Sequence, residues 1–165
     1  MQSFDEQVRS YAAYHRDPRN KATHFLGVPL VTFALLVALG WLRVLEGPVP
    51  LTGATIFYAA VFVYYLILDW RVALFQAPSS LLLLFAADLV SQWNWTASLA
   101  VFGAAFVLGW IIQLAGHGME GRRPALTDNI LQIFNAPLFL TVEVMHALGY
   151  RRELVPVDEK ENVST

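Results

Sequence analysis

Hydrophobic and polar positions divide the chain into a polar beginning, a long apolar middle and a polar end. Residues 25–119 hold five charged side chains (Arg43, Glu46, Asp69, Arg71 and Asp88), whereas residues 1–24 hold seven and residues 120–165 hold twelve. Between those charges run uncharged stretches of 18 (25–42), 22 (47–68), 16 (72–87) and 31 (89–119) residues. A helix needs about 20 apolar residues to cross a hydrocarbon core. The pattern therefore predicts an all-α, polytopic membrane bundle.

Residues 2–15 read as a surface helix with Phe4, Val8, Tyr11, Tyr14 and His15 near one face. Asp17-Pro18 breaks it and opens the next helix, Asp17 as cap and Pro18 in the first turn. The first span runs through His24 to about Val44, interrupted by Pro29 near its start, and 46–50 is turn chemistry. A second span covers 53–75 and closes around Asp69-Trp70-Arg71. Ala77-Pro78-Ser79-Ser80 reads as a tight connection, so a short third span is expected over 79–92. Gln92-Trp93-Asn94-Trp95-Thr96 marks an interface turn, and 97–116 form the fourth span. Trp41, Trp93 and Trp95 fall toward one membrane face, with Trp70 and Trp110 toward the other, in the manner of aromatic belts.

Residues 129–149 are a fifth apolar segment, but Asn135-Ala136-Pro137, Glu143 and His146 make a lipid-exposed crossing costly. The segment is expected to be broken, re-entrant or packed inside the bundle, with a full fifth crossing as the alternative. Residues 1–152 are thus expected to form a single membrane-embedded domain that carries whatever chemistry the chain performs, and 153–165 a charged, mobile tail. Four spans put both polar ends on one side. That side carries Arg9, Arg16, Arg19, Lys21, Arg71, Arg122 and Arg123 against Arg43 opposite, so the termini and the site between them are expected to face the cytoplasm, in a bacterial inner membrane or an endoplasmic reticulum.

Composition narrows the chemistry. With 165 residues, 56% hydrophobic and 15% charged, the bundle has no room beside it for a separate catalytic module. The polar start with both charge signs is unlike a cleavable signal peptide. The absence of cysteine excludes disulfides, thiolate metal sites, iron–sulfur clusters and a cysteine nucleophile. A net charge of -2 supplies no basic footprint for nucleic acid.

The four histidines, at 15, 24, 117 and 146, all fall near the cytoplasmic surface in this arrangement. On one continuous helix His15 and His24 would point about 180° apart at 100° per residue. The Asp17-Pro18 break removes that obstacle, since Tyr11 and His15, and Asn20 and His24, each share a helix face at four-residue spacing. His117 ends the fourth span, with Glu120 one turn later. Three imidazoles and a carboxylate without thiolate suit Fe(II) or Zn(II). Each histidine taken alone is more often an interfacial or hydrogen-bonded residue than a ligand, and His146 is the weakest of the four. Arg122 and Arg123 suit a substrate carboxylate at headgroup level, though they also serve simply as positive-inside charges. Asp88 reads as a structural pair, and Glu143 as a residue in or next to a metal shell.

Tyr11, His15, Pro18, Asn20, His24 and Pro29 form a Y-x3-H-x2-P-x-N-x3-H-x4-P pattern, and Gln113-Leu-Ala-Gly-His117 leads into Glu120-Gly-Arg-Arg-Pro-Ala-Leu126 and Asp128-Asn129. Over about 8–150 the chain resembles the yeast-type 2-hydroxy fatty acid dioxygenases, small membrane proteins that shorten 2-hydroxy fatty acids derived from a sphingolipid base. The resemblance implies an Fe(II)-dependent dioxygenase of fatty acid α-oxidation, taking a 2-hydroxy fatty acid and O2 to the acid one carbon shorter. It implies His15, His24 and His117 as metal ligands and, with Glu120, as the catalytic group. Glu120 stands three residues after His117 where the family pattern has four, so Glu120, Glu143 and His146 are alternatives for a further ligand. Tyr11, Asn20, Arg122 and Arg123 are the candidate substrate-binding residues. Membrane lipid surrounds the whole.

Three other readings compete. A diiron desaturase of the histidine-box type needs about twice as many histidines. A zinc-dependent membrane hydrolase would use the same ligands with a metal-activated water. A small transporter or scaffold would distribute polar residues through the membrane depth, whereas here they cluster at one side.

Overall fold

The computed structural model describes residues 4–45, 47, 50–121 and 132–150. The elements run α1 (Phe4–Tyr14), α2 (Pro18–Gly40), β1 (Arg43–Leu45), β2 (Leu51–Thr52), α3 (Gly53–Ser91), α4 (Trp95–Glu120) and α5 (Gln132–Ala147). Three of them, α2, α3 and α4, are long and apolar enough to cross a membrane. The chain is a helical membrane protein. The expected tail at 153–165 lies outside the described residues.

Helix starts follow the local chemistry. Asp17 accepts a hydrogen bond from the Arg19 amide, with Pro18 in the first turn of α2. Thr52 and Thr55 form a reciprocal capping box at α3, and Asn94 accepts from the Ala97 amide at α4. The first span ends at Gly40, earlier than expected, because β1 and β2 pair as a short antiparallel ribbon that the sequence did not announce.

The middle of the chain corrects the expected position of a turn. Residues 76–80 are helical, and the non-helical residue inside α3 is Asp69, at φ -156° and ψ 105°. Its carboxylate accepts hydrogen bonds from the amides of Arg71 and Val72, so it caps a second helix as soon as the first has ended. The two arms, 53–68 and 70–91, lie side by side. Tyr58 and Ser80 meet at 3.1 Å, whereas a straight helix would hold residues that far apart in sequence about 33 Å apart. Pro78 deletes only one backbone donor, and the hydroxyls of Ser79 and Ser80 bond to the carbonyls of Gln76 and Ala77 around it. A capping carboxylate at 69 outcompetes the Pro-Ser-Ser signal, and the returning arm gains the length that a crossing needs.

Helix α2 is the spine of the bundle. It packs against both α4 and α3, while α3 and α4 scarcely touch each other. The α2–α4 seam is glycine-lined: a Cβ on Gly27 would stand 2.8 Å from the Gly109 carbonyl oxygen, and one on Gly109 would stand 2.7 Å from Val31. Such close backbone approach is a usual way for helices to associate in lipid. At the end away from the histidines, Leu36, Val37, Ala54, Ala87 and Val90 form one core. Trp41 packs on Trp95 there and donates to Ser98, while Arg43 approaches Asp88 at 3.5 Å and donates to Ser91. Asp88 is thus the structural pair the sequence suggested.

At the other end α1 and α5 close the bundle. Val8, Tyr11, Val28, Tyr65, Val72 and the buried face of α5, Leu138 to Met145, share a second core. The 16 residues of α5 make a helix about 24 Å long, short of the about 30 Å of hydrocarbon. Its described residues pack on α1, α2 and α3, inside the bundle.

Candidate metal centre

Three imidazoles meet where α1, α2 and α4 converge. His15 follows α1, His24 lies in the second turn of α2, and His117 is near the end of α4. All three are buried, and each offers a ring nitrogen within 4.8 Å of the others. The break at Asp17-Pro18 brings the first two together, with Nε2 of His15 and Nε2 of His24 3.2 Å apart. His117 stands edge-on to both, its centroid 5.1 Å from His15 and 4.9 Å from His24.

The hydrogen bonds fix which way the rings present their lone pairs. Nδ1 of His15 lies 2.9 Å from the Tyr11 carbonyl oxygen, and Nδ1 of His24 lies 2.9 Å from the Asn20 carbonyl oxygen. A carbonyl only accepts, so both Nδ1 atoms carry the proton and a neutral ring keeps its Nε2 unprotonated. Burial holds His15 in that neutral form, pushing its pKa down to about 3. Two unprotonated Nε2 atoms facing each other at this distance repel unless a cation lies beside them. Nδ1 of His117 is buried with no hydrogen-bond partner among the described residues. Carbonyl-oriented imidazoles with one orphaned nitrogen fit a metal ion, and three nitrogen ligands leave coordination positions free.

Glu120 is engaged elsewhere. Its Oε1 accepts from the backbone amide of Arg16 at 2.7 Å and from that of Asp17 at 3.3 Å, and its Oε2 accepts from the Asn20 side chain. The carboxylate ties the end of α4 to the turn that carries His15. Asn20 is fully buried, and Gly116 allows this approach, since a Cβ there would collide with Asn20 and Thr23. Glu143 pairs with Lys21 at 2.8 Å, linking α5 to α2. His146 is half-buried on α5. None of these three belongs to the cluster of close ligand atoms. Arg122 and Arg123 lie outside the described residues.

Tyr11 is stacked flat on His15, with centroids 4.1 Å apart and planes 6° from parallel, and Phe139 packs against it at 4.4 Å. Its phenol is pushed well above its ordinary range by burial, so it stays protonated. The three histidines and Tyr11 border a cavity of about 910 Å³ that continues between α3 and α4 along the face of α2. Its walls are mostly apolar, with Val28, Leu36, Phe57, Leu83 and Leu140 among them. Leu82 and Leu114, also in the wall, are 67% and 51% exposed, so the cavity is open along the apolar side of the bundle. Gln76 and Gln113 border it as well. Gln76 was not singled out in the sequence, although an amide inside the uncharged stretch 72–87 was the signal available.

The profile of the family described as 2-hydroxy-palmitic acid dioxygenase Mpo1-like matches residues 1–148. The 2-hydroxy-palmitic acid dioxygenase of Saccharomyces cerevisiae is 32% identical over 150 residues, covering 90% of this chain and 83% of the yeast protein. No solved structure matches the chain. With a profile match that spans the described bundle and takes in all three clustered histidines, the chain belongs to the 2-hydroxy-palmitic acid dioxygenase Mpo1-like family.

Proposed function

We propose that the protein is an Fe(II)-dependent dioxygenase of fatty acid α-oxidation, converting a 2-hydroxy fatty acid and O2 to the acid one carbon shorter. The observation that carries the reading is the convergence of three buried histidines on the wall of a long, apolar, laterally open cavity. The name of the yeast relative supports the substrate class and the use of O2. A metal hydrolase would need the same ligands but no O2.

His15, His24 and His117 would hold the ion. Bound there, Fe(II) supplies the one-electron chemistry that lets O2 react with a closed-shell acid. The protein supplies position and exclusion of water. The carbonyls of Tyr11 and Asn20 hold two of the rings in register. Tyr11 and Phe139 cover His15, and the Tyr11 phenol is available as a proton-bearing donor toward the oxygens of the acid. The acyl chain lies in the cavity, entering from the bilayer, so that binding of the unreactive tail places C1 and C2 beside the histidines. Asn20 positions the ring of His24 and the Glu120 carboxylate. Arg122 and Arg123 remain the proposed partners of the substrate carboxylate. The histidine end faces the cytoplasm, as the distribution of Arg and Lys favours.

Turnover of 2-hydroxypalmitate by protein reconstituted with Fe(II) or with Zn(II), each in air and under argon, tests this. The expected result is a chain-shortened acid with iron in air only. Product with zinc, or equal product without O2, would overturn it.

A further inference from the structure

The cavity carries a second polar feature away from the histidines. Gln76 borders it from the returning arm of α3 and is 7% exposed. Its side-chain oxygen is buried and has no hydrogen-bond partner among the described residues. The serine hydroxyls that follow it on the helix do not serve it. Those of Ser79 and Ser80 are directed at the backbone carbonyls of Gln76 and Ala77, and Ser80 also meets the Tyr58 hydroxyl. A polar atom left unpaired in a buried site carries a desolvation cost, and in a bilayer no bulk water relieves it.

Its depth follows from the helices. Val28 of α2 and Val72 of α3 belong to the same core cluster. His24 stands one turn before Val28, toward the capped end of α2, and Gln76 stands one turn beyond Val72 in the opposite direction. Eight residues at 1.5 Å each put the amide about 12 Å further along the cavity than the imidazoles. A palmitoyl chain with its carboxyl end at the histidines passes that level near its middle.

We propose that Gln76 is a recognition point for a hydroxyl group in the middle of the acyl chain, so that the cavity accepts fatty acids hydroxylated in-chain as well as those with a plain tail. The orphaned atom is an acceptor and needs a donor. A hydroxyl is the smallest chain substituent that donates, and it occupies little more space than the methylene hydrogen it replaces. The proposal rests on the acyl-chain reading of the cavity and deepens it to a substrate class.

The test is equilibrium binding to the purified full-length protein in micelles, by displacement of a fluorescent fatty acid, for the wild type and for Gln76→Leu and Gln76→Met. Two ligand series are compared. One is 2-hydroxypalmitate with a second hydroxyl stepped along the chain; the other is palmitate with a single hydroxyl stepped in the same way. In the wild type, affinity should peak at one mid-chain position in both series. Both variants should lose about tenfold at that position, the scale of one hydrogen bond to a buried group, while 2-hydroxypalmitate and palmitate bind as before or more tightly. Parallel profiles in wild type and variants, or no mid-chain preference in either series, would overturn the proposal. The palmitate series needs neither metal nor turnover, so failure of the dioxygenase reading would show separately, as loss of activity with the mid-chain preference intact. Cooperative thermal unfolding of all three proteins, at a temperature no lower in the variants than in the wild type, shows that the variants are folded.

Discussion

At the residue scale, the histidine cluster depends on groups that touch no ligand atom directly. Glu120 is the clearest, because its carboxylate holds the amides of Arg16 and Asp17, which directly follow His15, and the side chain of Asn20, whose carbonyl orients His24. Its removal should loosen both rings. Glu120→Ala should weaken metal binding roughly 10–100-fold, the usual cost of losing an orienting partner, and Glu120→Gln should fall between it and wild type, by competitive chelator titration. If Glu120→Gln lost metal as completely as a histidine variant, the carboxylate would be a ligand instead. The pKa of His15 makes a second expectation. Its folded value of about 3 lies below an ordinary value of about 6.5, so between these the unfolded chain binds the extra proton. The metal-free protein should be stable above about pH 7 and lose stability as the pH falls through 6.5 toward 3. Thermal unfolding across that range checks the sign, and His15→Gln should flatten the slope.

At the element scale, the two halves of α3 turn at Asp69 and continue through Pro78. Asp69→Ala should cost about 1 kcal/mol, the loss of a helix cap, whereas Pro78→Ala should be neutral or stabilising because it restores a backbone donor. Denaturant unfolding in micelles ranks the two, and the reverse order would place the turn at 77–80. The same region shows why part of the fold was legible and part was not. Charge spacing and apolar length locate α2, α4 and the two arms of α3, and Asp17-Pro18 marks the start of α2 in sequence and structure alike. Pro78-Ser79-Ser80 reads as a turn by its local chemistry alone, because the competing cap, Asp69, stands nine residues earlier. The β1–β2 ribbon has only five residues and no alternating pattern, so nothing local marked it. Of the site, the histidines were legible from their positions at the ends of apolar segments. The pairing of Lys21 with Glu143 and the capture of Glu120 by backbone amides depend on tertiary approach across more than a hundred residues, which no local spacing encodes.

At the scale of the whole molecule, the bundle is polarised. The histidines, α1 and α5 gather at one end, and the Trp41–Trp95 contact and the β ribbon at the other. The native chain has no cysteine, so single cysteines report sidedness cleanly. A cysteine at Arg16 should react with a membrane-impermeant maleimide only from the cytoplasmic face, and one at Gly47 only from the opposite face; the inverse labelling would reverse the proposed orientation. The account as a whole stands on one ion held by three histidines drawn from three elements. Metal stoichiometry of the purified protein, by elemental analysis, tests it most directly. The account predicts about one iron per chain in wild type, retention in His146→Ala, and near-complete loss in each of His15→Ala, His24→Ala and His117→Ala with helical content preserved. Folded single variants at these three histidines that keep the wild-type metal content would contradict it.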